Sequence, residues 1–384
     1  MTTQSDEVTR TSSPDELDEL RRTARAMLDR DAPTTAVRSL LDDPRGYDPA
    51  LWRAMAELGW LGLLAPVAHG GAGAGLTETV VVAEQLGAHL VASPFLASAV
   101  LATSALALGG TPTQQERWLP ALANGAAIGT AALTGSLGRA DGAASGVTLE
   151  RTGTSVRLDG VVRFVPDAHV ADVIVLAAHD GEERALVAIE TAADGVRVEP
   201  TPTIDHTRRL NDLHLDGVVV DDAALLEADV TDDVLLRGVV ALAADGVGAA
   251  REILTRAVEY AKERVQFGRP IGSFQAVKHM LANMYVLTEA ASVAVEGAAE
   301  AFDADASNAA RLAEIAASYA RDAAVKVAGD AVQAHGGIGF TWEHDCHLFL
   351  KRTQLGAALL GDPAEHRERL AALMLAAARD QQSS

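Results

Sequence analysis

The 384-residue chain sets 32 Lys and Arg against 53 Asp and Glu, a formal net charge of -21, which excludes a general nucleic-acid or anionic-membrane surface, because both need a basic face that releases counterions. With 48% hydrophobic and 22% charged residues the chain is globular, and aromatics at 4% point to a core of Ala, Leu and Val; its length implies two or three domains. A single cysteine, Cys346, excludes an intrachain disulfide framework and fits a reducing compartment.

The first twenty residues put acids where an export signal would have a basic end and an apolar run, so cytoplasm is the expected location. Ser13 reads as an N-cap, with Pro14 at the first helical position and Leu17, Leu20, Ala24 and Leu28 on one face. Helical patterns continue over 48–64 and 76–90, and through an uncharged run from Leu90 to Leu108. That run approaches membrane-spanning length, yet Ala and Ser dilute it, Pro94 breaks it and no basic or aromatic anchors flank it. It reads as buried helix.

From about Gly125 to Leu226 the period shortens to Val and Ile runs punctuated by Asp-Gly turns, predicting a central antiparallel β-barrel or small sheet. Helical periodicity then returns in four long segments, about 232–263, 273–302, 307–335 and 363–379, which suit a four-helix bundle. The expected fold class is α+β, with an N-terminal helical domain over 1–124, a central β domain over 125–228 and a C-terminal helical bundle over 229–384. Helices, strands and helices in blocks exclude a doubly wound α/β sheet.

Several motifs bear on chemistry. The glycines of Gly70 to Gly75 follow a helix rather than a strand, so they read as an interhelical loop and not as a dinucleotide fingerprint. His335, His344, His347 and Cys346 lie in one short stretch, with His344 and His347 three apart; no second ligand cluster accompanies them, so surface or hydrogen-bonded histidines are expected and no metal. Two other segments, ERVQFGRPIGSFQ and QAHGGIG, each end a helix with glycines and hydrogen-bonding side chains. Arg264, Gln266, Gln333 and the backbone at Gly336 and Gly337 would suit a diphosphate. The alternative is a pair of interhelical turns with glycine C-caps.

Both segments closely resemble the C-terminal signatures of the flavin-dependent acyl-CoA dehydrogenases, Arg-x-x-Phe-Gly-x-x-Ile-x-x-x-Gln and Gln-x-x-Gly-Gly-x-Gly. The matching residues are Arg264, Phe267, Gly268, Ile271 and Gln275, then Gln333, Gly336, Gly337 and Gly339. AELGWLGLLAP near the start and the block order of elements are similar too, so the resemblance covers almost the whole chain. It implies FAD lodged between the β domain and the bundle, partly gripped by a neighbouring subunit, with an acyl-CoA substrate. Arg264, Gln266, Phe267, Gln275, Gln333, Gly336 and Gly337 are then expected to contact FAD, with Thr134 and Phe164 as further candidates.

The resemblance also marks departures. The position of the family's usual catalytic Glu is Leu360, and that of the Glu used by a minority is Gly238. Asp362 and Asp245 are the nearby carboxylates, each of which reads more readily as a solvated or capping acid than as a base. The family's Thr-Glu-Pro loop keeps Thr134 and Ser136 but not the Glu-Pro, and its Trp-Ile-Thr strand reads Phe164-Val165-Pro166, whose proline has no hydrogen to donate. This pattern resembles the incomplete subunit of heterotetrameric members, paired with a base-bearing homologue. A self-sufficient homo-oligomer with an atypical base, and a flavin-free acyl-CoA-binding or scaffold protein, are the other readings.

Overall fold

A capping box starts the first helix. Ser13 Oγ accepts from the Glu16 N–H at 3.3 Å, and the Glu16 carboxylate takes the Ser13 N–H at 2.8 Å. In this computed structural model, which describes residues 12–135 and 146–383, α1 (Pro14–Asp31) leads to α2 (Thr34–Leu40), α3 (Pro49–Glu57) and α4 (Leu76–Ala88). A π-helical stretch, Leu96–Ala102, runs into α5 (Thr103–Gly109), and α6 (Pro112–Ala123) follows. The one helix expected over 48–64 stops at Glu57 because Gly59 takes φ 77°, after which Trp60–Gly62 makes a single 3-10 turn. The uncharged run from Leu90 is buried among the other helices, and no described helix is long and apolar enough to cross a membrane.

The central strands are β1 (Gly129–Ala132), β2 (Val147–Thr152), β3 (Ser155–Pro166), β4 (Val173–Asp180), β5 (Glu183–Glu190), β6 (Val196–Thr201) and β7 (Leu210–Asp221). The barrel expected from the turn signals is not found among the described residues; the strands form one open, mixed sheet in the order β1-β4-β2-β3-β7-β6, with β5 added on β4. The reason lies in β1. It enters directly from α6 and lies parallel to β4, Gly129 opposite Val173 through Ala132 opposite Leu176. Asp-Gly turns report only hairpins, so the pattern conceals a parallel pair made across the β2–β3 hairpin.

The C-terminal bundle contains α7 (Thr231–Glu263), α8 (Gln275–Asp303), α9 (Ala309–His335), α10 (Cys346–Ala358) and α11 (Pro363–Ser383), with a small hairpin, β8 (Val265–Gln266) and β9 (Arg269–Pro270), between α7 and α8. Long α7 packs on α4, α8, α9 and α10, so one apolar core runs from the N-terminal helices through β1 and β4 into the bundle. A second core fills the far end of the bundle around Ile253, Val327 and Phe349.

Candidate functional site

The two glycine-bordered bends sit at the same end of the bundle. Arg264 is the C-cap of α7, its N–H donating to Tyr260 O at 2.8 Å. One turn earlier the Tyr260 ring stacks on His335, the last residue of α9, at 4.6 Å and 26°. Helix α9 then ends on Gly336 at φ 64°, a left-handed position that favours glycine. Space beyond Gly336 and Gly337 is open: a Cβ at either would meet nothing within 4 Å. In the other bend Phe267 and Gly268 both take positive φ, 52° and 76°, the pair of left-handed residues of a tight two-residue hairpin turn. That turn thrusts Phe267 outward, 92% exposed, with Phe274 edge-on at 6.2 Å and Arg269 stacked over Phe274 at 4.1 Å. Arg264, Gln266, Gln275 and Gln333 are exposed, Gln275 as the first residue of α8.

Thr134 and Phe164 come from the ends of β1 and β3, which β4 and β2 separate in the sheet. Thr134 is buried just beyond β1; Phe164 is half-buried at φ 60°, where the β3–β7 register shifts between Val162 and Val165. Pro166 follows, and its carbonyl accepts the Thr130 hydroxyl. Ser136 and the loop after it lie outside the described residues.

The two positions expected for a base meet. Gly238 lies on α7, and a Cβ built there would come 2.9 Å from Leu360 Cδ1 and 2.5 Å from Leu101 Cδ2. Leu360 is 4% exposed, at φ 58°, directly after α10. It is held by a residue that sequence reasoning missed: buried Arg321 on α9 donates to the carbonyls of Gly356, Leu359 and Gly361 at 3.1, 2.7 and 2.6 Å. Burial pushes the Arg321 pKa down to about 10, and Arg369 adds to the shift. Three carbonyls at a helix C-terminus form a natural seat for a guanidinium. Leu360 also borders a large cavity of about 750 Å³, whose walls include Leu235, Val239, Glu314 and His366.

The substitute carboxylates have other work. Asp362 caps α11, accepting the N–H groups of Ala364 and Glu365 at 2.8 and 2.9 Å. Asp245 is clamped by two arginines: Arg352 donates Nε and Nη2 to its two oxygens at 3.0 and 2.7 Å, and Arg208 Nη2 reaches Oδ1 at 2.8 Å. Burial alone would raise the Asp245 pKa, yet the two guanidiniums outweigh it and the carboxyl is held below its usual range. An acid so paired is a poor base at neutral pH, which argues against the role suggested by its sequence position. The Gly70 to Gly75 loop is structural as expected: its end starts α4, where the Asp303 carboxylate accepts the N–H groups of Leu76 and Thr77 at 2.7 and 2.8 Å and fills the place a phosphate would need.

Comparison with known proteins matches residues 14–126 to the model of the acyl-CoA dehydrogenase N-terminal domain and residues 229–375 to that of the C-terminal domain. The chain is 36% identical over 362 residues to acyl-CoA dehydrogenase IpdE2 of Mycolicibacterium smegmatis, covering 92% of this chain and 97% of that protein. Among solved structures it is similar to a variant of the Tcur3481-Tcur3483 steroid ACAD, with a TM-score of 0.87 at 31% identity over 95% of this chain and 99% of that one. It is also similar to the ChsE4-ChsE5 complex of Mycobacterium tuberculosis, with a TM-score of 0.88 at 29% identity over 95% and 98%. The chain therefore belongs to the acyl-CoA dehydrogenase family of FAD-dependent oxidoreductases.

Proposed function

We propose that this chain is one subunit of a hetero-oligomeric acyl-CoA dehydrogenase, which desaturates an acyl-CoA thioester between its α and β carbons, and that the catalytic base belongs to a homologous partner. The carrying observation is the contact between positions 238 and 360. Removing the weakly acidic α-proton needs a carboxylate within hydrogen-bond reach of it. Gly238 and Leu360 offer none, and Leu101 closes the space between them.

Bound FAD supplies the hydride acceptor in this family. The donor set at the bends suits its diphosphate: the exposed Arg264 guanidinium provides a fork, Gln266 and Gln333 provide amide donors, and Gly336 and Gly337 leave the backbone open to close approach. Gln275 adds the N-terminus of α8, and Phe267 an apolar face. We assign all seven to FAD contact across a subunit boundary, because exposed Phe267, Phe340 and Trp342 crowd the same end of the bundle and would be covered by a second protomer. Thr134 and Phe164 are assigned to the ring side, where Pro166 has no hydrogen to give and the Thr130 hydroxyl is already spent on a carbonyl. The division at residue 228 separates these two contributions, and the one at 124 sets the N-terminal helices apart from both. The pairing is further supported by the two-component names of the similar structures.

The chain purified alone should carry little flavin and show no turnover with a set of acyl-CoA thioesters that includes steroid ones. Co-expression with a homologue that bears Glu at the position of Leu360 should restore both. Full flavin occupancy and turnover by the lone chain would refute the pairing, and a colourless, inactive complex would instead favour a flavin-free scaffold. Should the lone chain be active, Asp362→Asn and Asp245→Asn would identify the atypical base by abolishing turnover with flavin retained.

A further inference from the structure

We infer that His335, His344 and Cys346 form a binding site for one divalent transition metal of the zinc class. This site uses none of the assigned flavin contacts but adjoins them, since His335 directly precedes Gly336. The sequence suggests His344 with His347, three residues apart, but His347 turns away and stacks on Trp342 at 4.7 Å and 17°. In its place the fold brings in His335 from the end of α9. The His335 and His344 rings lie 4.6 Å apart, Cys346 Sγ is 3.3 Å from His335 Nδ1, and one donor atom from each of the three lies within 4.8 Å of the others.

The environment favours coordination over a chance cluster. Cys346 is fully buried and His335 is 4% exposed. His335 Nδ1 also lies 2.7 Å from Ala331 O, a hydrogen bond that a metal held on this nitrogen would replace. The neighbouring charges are matched: Asp345 takes Arg38 at 2.9 Å and Arg256 at 3.1 Å. One thiolate and two imidazoles select zinc or its analogues over magnesium and calcium. Bonds of about 2.0 Å to nitrogen and 2.3 Å to sulfur place tetrahedral donors roughly 3.5 Å apart, so small side-chain rotations close the site and leave the fourth position open to water. A metal here would tie the end of α9 to the start of α10 across the Gly336–Phe340 turn.

The test uses Co(II) added to the purified chain, read as a difference spectrum so that any bound flavin cancels. Because Cys346 is the only cysteine, a sulfur-to-cobalt charge-transfer band identifies the ligand. One equivalent of cobalt should produce the band and Zn(II) should bleach it. Cys346→Ser and His344→Phe should lose it, whereas His347→Phe should keep it. No band at stoichiometric cobalt, or a band that survives His344→Phe, would overturn the proposal. If those variants do not fold, X-ray absorption of the zinc-loaded wild-type chain decides: one sulfur near about 2.3 Å supports the site, and a shell of nitrogen and oxygen only rejects it.

Discussion

Asp245 shows how far a residue's role can lie from its sequence context. Its main partner, Arg352, stands 107 positions away, so nothing near Asp245 in the chain announces that the carboxylate is already neutralised. Because Arg352 and Arg208 share one buried acid, Asp245→Leu strands two guanidiniums and should destabilise the fold by roughly 3–5 kcal/mol, read from urea denaturation. Position 360 was legible by contrast, since counting along a recognised motif finds it without knowledge of packing; its contact with Gly238 was not, because that requires two helices to be brought together. His366 supports a pH prediction. It is 1% exposed on the wall of the large cavity, with Nδ1 2.6 Å from Glu314 and with Arg369 and Arg321 nearby. Burial holds its pKa below the ordinary 6.5, against the pull of Glu314, so the unfolded chain binds the proton more readily than the folded one. The stabilising contribution is therefore present above about pH 6.5 and is lost as pH falls through the folded value. The urea midpoint should drop between pH 7 and pH 5.5 by less in His366→Gln than in the wild-type chain.

Helices with regular apolar spacing were visible in the sequence, and α7, α8 and α9 lie where the period places them. Helix α10 was hidden because Arg352 and Thr353 occupy buried positions and interrupt the apolar pattern; Arg352 is satisfied by Thr207, which only the fold brings near, and Thr353 by the Phe349 carbonyl one turn earlier. The parallel β1–β4 pair was hidden for a related reason: local turn chemistry specifies hairpins, whereas parallel neighbours are chosen by the global path. Element ends carry their own tests. Asp303, at the end of α8, accepts three hydrogen bonds from Leu76 and Thr77 at the start of α4 and so joins the two helical regions. Asp303→Ala should cost roughly 1–3 kcal/mol in thermal or urea unfolding, more than an ordinary cap because the bonds are charge-assisted and long-range. At the β8–β9 turn, Gly268→Val puts a β-branched residue at φ 76°. Because the turn lies outside both cores, global stability should change little while flavin content in the assembled enzyme falls, and unchanged flavin content would remove Phe267 from the assigned contacts.

For the whole molecule, the acidic balance and the exposed aromatics at one end of the bundle point the same way: a strongly charged body with a sticky region there that a second protomer would cover. Arg264→Ala should therefore lower flavin retention in the assembled complex on gel filtration while leaving the circular dichroism of the isolated chain unchanged. The crowding of Leu101, Gly238 and Leu360 has a historical side as well. In the pairing proposed above, a Glu introduced at position 238 would meet Leu101 Cδ2 and Leu360 Cδ1, so both side chains would have to swing aside before it reached substrate. A base at that position therefore asks two buried leucines to repack as well as one residue to change. Such coupling of one substitution to the repacking of two neighbours would make dependence on a partner easier to keep than to undo.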